Sequence, residues 1–94
     1  MIIVIKAIEI ELFLLDAYSL KDKRSIIKSI TQRIKQKFNV SICETKDHEI
    51  WNKSTLGIAC ASNSSSYCDK IITQIINFID FDNQLEIVTI RTIL

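Results

Sequence analysis

The stretch YSLKDKRSIIKSI, residues 18–30, places Lys21, Lys23, Arg24 and Lys28 within eight positions. Arg33, Lys35 and Lys37 follow, so seven of the chain's twelve Lys and Arg residues fall between positions 21 and 37, opposed there only by Asp22. Net charge over the whole chain is +1, so the remainder leans acidic. That asymmetry is a hint of an anionic partner and says nothing about fold. At ~100° per residue, a helix brings Lys21, Arg24, Lys28 and Lys35 into an arc of roughly 60°. Lys21, Lys23 and Arg24 also occupy the first turn, where the helix dipole disfavours cations by ~0.3–1 kcal/mol each. A sequence shaped by helix stability alone would put acids there. Unpaired amides, the dipole and three cations together suit a phosphate. Lys21, Lys23, Arg24, Lys28 and Lys35 are therefore the candidate anion- or nucleic-acid-binding residues. The competing reading is a solvated outer helix face, since Lys is a good helix former.

Other reactive side chains offer less. His48 and Glu49 resemble an acid–base pair, but they stand in a polar connector with no nucleophile nearby. His48 is the only histidine and has no second His or Cys at ligand spacing, so no metal is expected. Cys43, Cys60 and Cys68 form no CxxC. Their odd number, and the apolar neighbours of Cys43 and Cys60, fit reduced core thiols in a cytoplasmic protein. Trp51 either closes the end of a small core or stacks on a partner. No catalytic residue or cofactor is expected.

The elements that position these residues follow from periodicity. Residues 2–14 alternate, with Ile8, Ile10, Leu12 and Leu14 on one face and Ile3, Ile5, Glu9, Glu11 and Phe13 on the other: a half-buried strand, too often interrupted by charge for a leader or a membrane span. Residues 20–38 switch to helical spacing through Leu20, Ile27, Ile30, Ile34 and Phe38. Ser19 and Asp22 form an S-x-x-D cap, and Asn39 is placed to end the helix in a left-handed conformation. Residues 40–46 and 55–61 read as strands, the latter holding Gly57, the sole glycine, as a point of close approach or a bulge. Residues 66–81 repeat Ile at helical spacing after the N-caps offered by NSSS. Residues 85–93 form a last strand.

The order β-α-β-β-α-β, with right-handed crossovers, predicts one domain over residues 1–94. It is an α+β, ferredoxin-like, two-layer sandwich, a four-stranded antiparallel sheet with both helices on one face. Sheets of this kind often bind RNA through aromatics on the open face, but TLGIACAS, residues 55–62, has none, and Glu9 and Glu11 repel phosphate. RNA is thus expected on the first helix. Ile3, Ile5 and Phe13, with Trp51, form a candidate protein interface for docking or homodimerisation.

Three blocks carry a family resemblance: SLKDKRSIIKSI (residues 19–30), KFNVSICE (37–44) and WNKSTLGIACASN (51–63). In order and spacing they resemble the small bacterial YlxP-like family, of unknown biochemical function. Tyr18 stands where that family usually has His, and Ser25 where a basic residue is common. The resemblance implies a ferredoxin-like fold. Members are often encoded beside translation-initiation and ribosome-maturation genes, which implies a cytoplasmic role near the small ribosomal subunit or its RNA. The leading expectation is therefore a ribosome-associated or RNA-binding accessory protein. A sheet-face docking module is the second reading. An acylphosphatase-like enzyme is the third, and the loop LDAYS lacks the glycine-rich cradle it would need.

Overall fold

The structure, a computed structural model, describes residues 2–94. Alternating residues build β1 (Val4–Leu14), and the Ile stripe that follows builds α1 (Leu20–Lys37). β2 (Ser41–Lys46), β3 (Lys53–Ser62), α2 (Ser65–Asp80) and β4 (Leu85–Thr92) complete the order read from the sequence. The strands lie β2-β3-β1-β4, every neighbouring pair antiparallel. This is the ferredoxin-like sandwich.

The core follows the parity of β1. Ile8, Ile10, Leu12 and Leu14 are buried beneath Ile27, Ile30 and Ile34 of α1 and Ile75 and Ile79 of α2, with Leu56 and Ile58 beside them. Each fully buried Ile or Leu contributes roughly 1.5–3 kcal/mol, enough to fix which face of the sheet the helices cover. Capping sets where α1 begins. The Ser19 hydroxyl accepts the Asp22 amide at 3.1 Å, and the Asp22 carboxylate accepts the Tyr18 amide at 3.0 Å, one residue upstream of the partner expected for a capping box. Asn39 does not end the helix in the expected way. Phe38 is the C-cap, in extended conformation, with its amide bonded to the Ile34 carbonyl. Among the described residues the one non-glycine with positive φ is Asp47, at 67°.

Gly57 explains a second local feature. Pairing of β2 with β3 slips between Glu44 and Lys46, leaving Thr45 as an extra residue. A Cβ on Gly57 would lie 2.7 Å from Thr45 Cγ2. The bare glycine thus lets Thr45 lean across β3 and donate its hydroxyl to Glu9 on β1 at 2.7 Å. That hydrogen bond is the main reason the Glu9 carboxyl titrates below its ordinary 4.5, with Lys46 and Arg91 adding attraction against some desolvation. Arg91 reaches two carboxylates of the open face, Glu9 at 3.6 Å and Glu11 at 3.5 Å, as the cross-strand register suggests.

The cysteines divide. Cys60 and Cys68 are buried, the Cys68 thiol 3.7 Å from the Cys60 carbonyl, and burial together with Cys68 pushes the Cys60 thiol up to about 11. Cys43 is exposed, correcting the expectation of a core thiol: it points from β2 to the uncovered face of the sheet, opposite Gly57.

Three outcomes test these assignments. Iodoacetamide at neutral pH labels one thiol in the folded protein, Cys43, and three after denaturation, read by intact mass. Gly57→Ala lowers stability in urea by about 1–3 kcal/mol, and Thr45→Ala added to it restores most of the loss. Because the folded Glu9 value is depressed, its contribution to stability is present above pH 4.5 and lost as pH falls through the lower folded value. Thr45→Val moves the Glu9 titration, followed by carboxyl NMR, back up toward 4.5.

Candidate functional site

Of the five cations expected to meet an anion, Lys23 is not on the surface. Its side chain is 2 % exposed, with the ammonium 3.0 Å from the Glu44 carboxylate and bonded to the Asp47 carbonyl. Glu44 shares the parity of Ile42 on β2 and so points under α1. Its carboxylate also accepts the Ser54 hydroxyl at 2.6 Å. Asp47 holds the other end: its side chain accepts the hydroxyl of buried Thr55 at 3.0 Å while its carbonyl takes Lys23. Two faces of the sheet are thereby tied together at the end of β2, and the left-handed backbone of Asp47 makes that turn. Among the described residues no buried side-chain polar atom lacks a partner.

Lys23 is therefore closed to an external anion, its ammonium being taken up by Glu44 and the Asp47 carbonyl. The phosphate cradle expected at the start of α1 is also diminished, because Ser19 already holds the Asp22 amide and the Asp22 carboxylate is half-buried there. The signal for this was in the sequence. Lys23 lies three, four and seven residues before Ile26, Ile27 and Ile30, in the middle of the apolar stripe.

The other four residues behave differently. Lys21, Arg24, Lys28 and Lys35 are all exposed, and none has an acidic side chain within ion-pair distance among the described residues. They line the outer face of α1 over about 21 Å at 1.5 Å per residue. On the sheet the pattern is reversed, although Lys37 and Lys70 on the helices likewise lack an ion-pair partner among the described residues. Lys46, Lys53 and Arg91 on the sheet are each paired with Glu9 or Glu11, and Arg33 binds Asp82 at 2.9 Å.

Beside the arc, α1 and the β2 edge enclose an open cleft of about 460 Å³. Arg24 and Lys28 form one wall, His48 and Glu49 the other, and the Lys23–Glu44 pair the floor. His48 Nε2 donates to the Glu44 carbonyl at 3.1 Å, which leaves Nδ1 free. Reading the sequence missed this juxtaposition, because the loop before β3 folds back toward a helix more than twenty residues away. Among the described residues no group of three His, Cys, Asp or Glu is placed to hold a metal. No helix among them is long and apolar enough to cross a membrane.

Ile5 and Phe13 stand exposed on the open face of β1, and Ile3, just ahead of the strand, is exposed too. Trp51 is 45 % exposed in the β2–β3 connector, so it does not close the end of the core.

Fold and site together define a small α+β sandwich whose one strongly asymmetric feature is the line of unpaired cations on α1. Residues 5–92 match the family model described as "Protein of unknown function (DUF503)". The chain belongs to that family. It is also 38% identical over 84 residues to the "Uncharacterized protein YlxP" of Bacillus subtilis (strain 168), covering 89% of this chain and 91% of that protein.

Removing one partner of a buried ion pair strands the other. Lys23→Ala is expected to lower stability in urea by about 3–5 kcal/mol, and Lys23→Met with Glu44→Gln to recover much of it. Lys28→Ala, exposed and unpaired, shifts stability by no more than about 0.5 kcal/mol.

Proposed function

We propose that this protein is a ribosome-associated, RNA-binding accessory factor that holds backbone phosphates on the outer face of α1. The observation that carries this reading is the contrast in pairing. Cations on the sheet are neutralised by carboxylates of their own chain, whereas Lys21, Arg24, Lys28 and Lys35 are not. A row of unneutralised cations on a rigid helix offers a phosphate backbone charge without requiring it to displace an internal partner. Such contacts fix position and orientation and carry no base readout. An RNA of defined shape, such as a folded ribosomal RNA, fits that mode better than a short sequence motif. Arg24 has a planar donor fork able to grip a phosphate in two places; the lysines act as point charges.

Sedimentation with small ribosomal subunits across a salt series tests the proposal. Four phosphate contacts predict a slope of log K against log salt of about −3. Lys21→Glu, Arg24→Glu and Lys28→Glu combined abolish co-sedimentation while leaving the fold intact by circular dichroism. A salt-independent interaction, or equal pelleting of native and triple-variant chains, returns the arc to ordinary solvated surface.

A further inference from the structure

The sheet face away from the helices carries three features that fit one another. Phe13, near one end of β1, stands on this face between its cross-strand neighbours Lys53 and Glu86, with 37 % of its surface exposed. Toward the other end lies a shallow trough of about 390 Å³ floored by Ala7, Gly57 and Ala59. A cavity of roughly 150 Å³ already admits a benzene ring. Between knob and trough run the carboxylates Glu9 and Glu11, held by Lys46, Lys53 and Arg91.

We propose that this face pairs with the same face of a second copy, Phe13 of each copy seated in the Ala7–Gly57–Ala59 trough of the other. A two-fold axis crossing β1 at Ile10 puts residue 7 of one copy over residue 13 of its mate, and residue 13 over residue 7. One rotation therefore seats both rings, which is what an isologous contact requires. Area agrees. Four strands about 4.8 Å apart, averaging about nine residues at ~3.3 Å rise, present roughly 550 Å² of projected face. Side-chain relief raises that toward the ~800 Å² per partner of a standard interface.

Charge agrees as well. The same axis sets Glu9 against Glu11 of the mate, and both already carry cations from their own chain; Glu86, exposed beside Phe13 at the end of the face, is the one carboxylate there without such a cation. A polyanion would meet three carboxylates here, Glu9, Glu11 and Glu86, and a strongly charged protein would find Lys46, Lys53 and Arg91 already taken. Exposed Ile5 and Ile93 extend the apolar end of the face. Pairing sheet to sheet leaves both α1 arcs pointing outward, so this contact is independent of RNA.

Sedimentation velocity of nuclease-treated protein, from about 1 to several hundred μM, decides the matter. Native chain is expected to show a concentration-dependent monomer–dimer equilibrium. Phe13→Ala and Ala7→Phe each weaken it at least tenfold, the first by removing the knob and the second by filling the trough. Combined, they exchange knob and hole between the facing positions and restore association. Ile5→Arg, a second exposed site on the face, also weakens it, and circular dichroism establishes that each variant is folded. A native chain that stays monomeric throughout, a dimer indifferent to these substitutions, or a combined variant no better than the singles overturns the pairing.

Discussion

Lys23 carries its charge at the centre of the buried stripe of α1, between the helix and the β2–β3 end of the sheet. An ammonium taken out of water costs several kcal/mol unless its hydrogen bonds are replaced. The surrounding structure supplies those replacements. Glu44 turns inward from β2 where an apolar residue would otherwise pack, Ser54 completes its carboxylate, and Asp47 takes a left-handed conformation that brings its carbonyl to Lys23. The end of β2, the start of the connector and the first turn of α1 are fixed relative to one another by one charge. An apolar residue at position 23 would hold the helix down but would not dictate the path of the chain after Lys46.

The same pair shapes the electrostatics of the surface. Glu44 is neutralised from within, so it does not draw Arg24 or Lys28 down into the cleft as partners. Thr45 and Glu9 do the equivalent on the opposite face, where the bulge at Thr45 and the missing side chain of Gly57 bring a hydroxyl to a carboxylate. The molecule thus has a charge-balanced sheet and an unbalanced helix. Fields from the helix are not cancelled locally and extend about one Debye length, ~8 Å at physiological salt. Within that range the net positive field lies over α1 and not over the sheet.

The layers were legible because periodicity was strong. Even-numbered residues of β1 and the Ile spacing of both helices leave one consistent burial pattern, and element order then leaves few topologies. What was hidden had a common physical cause. Charge alone groups Lys23 with its neighbours, although its spacing relative to Ile26, Ile27 and Ile30 marks it as buried. Apolar neighbours group Cys43 with Cys60, although successive antiparallel strands pair Cys43 with Gly57 and send it to the open face. Propensity favours a left-handed stop at Asn39, but the extended Phe38 cap ends α1, and the left-handed residue is Asp47 at the separate turn between β2 and β3, where the tie to Lys23 sets the path. His48 and Glu49 came to the side of α1 through that same tie, and no local pattern encodes a contact of that range.

The opposition between helix and sheet also limits what the fold can do with each face. α1 is held by its apolar stripe and by Lys23, so the outer cations can be changed with little effect on packing. Surface positions of this kind are free to follow the shape of a partner. The sheet face is not free in this way. Glu9, Thr45, Gly57 and Arg91 depend on one another across the strands, and altering one changes the protonation or position of the next. A face built from such interlocked groups presents a fixed relief rather than an adaptable one, and fixed relief is matched best by a surface of equal rigidity. The phosphate backbone proposed for the helix differs for the converse reason: phosphates need charge at a suitable spacing and tolerate movement of the lysines that supply it.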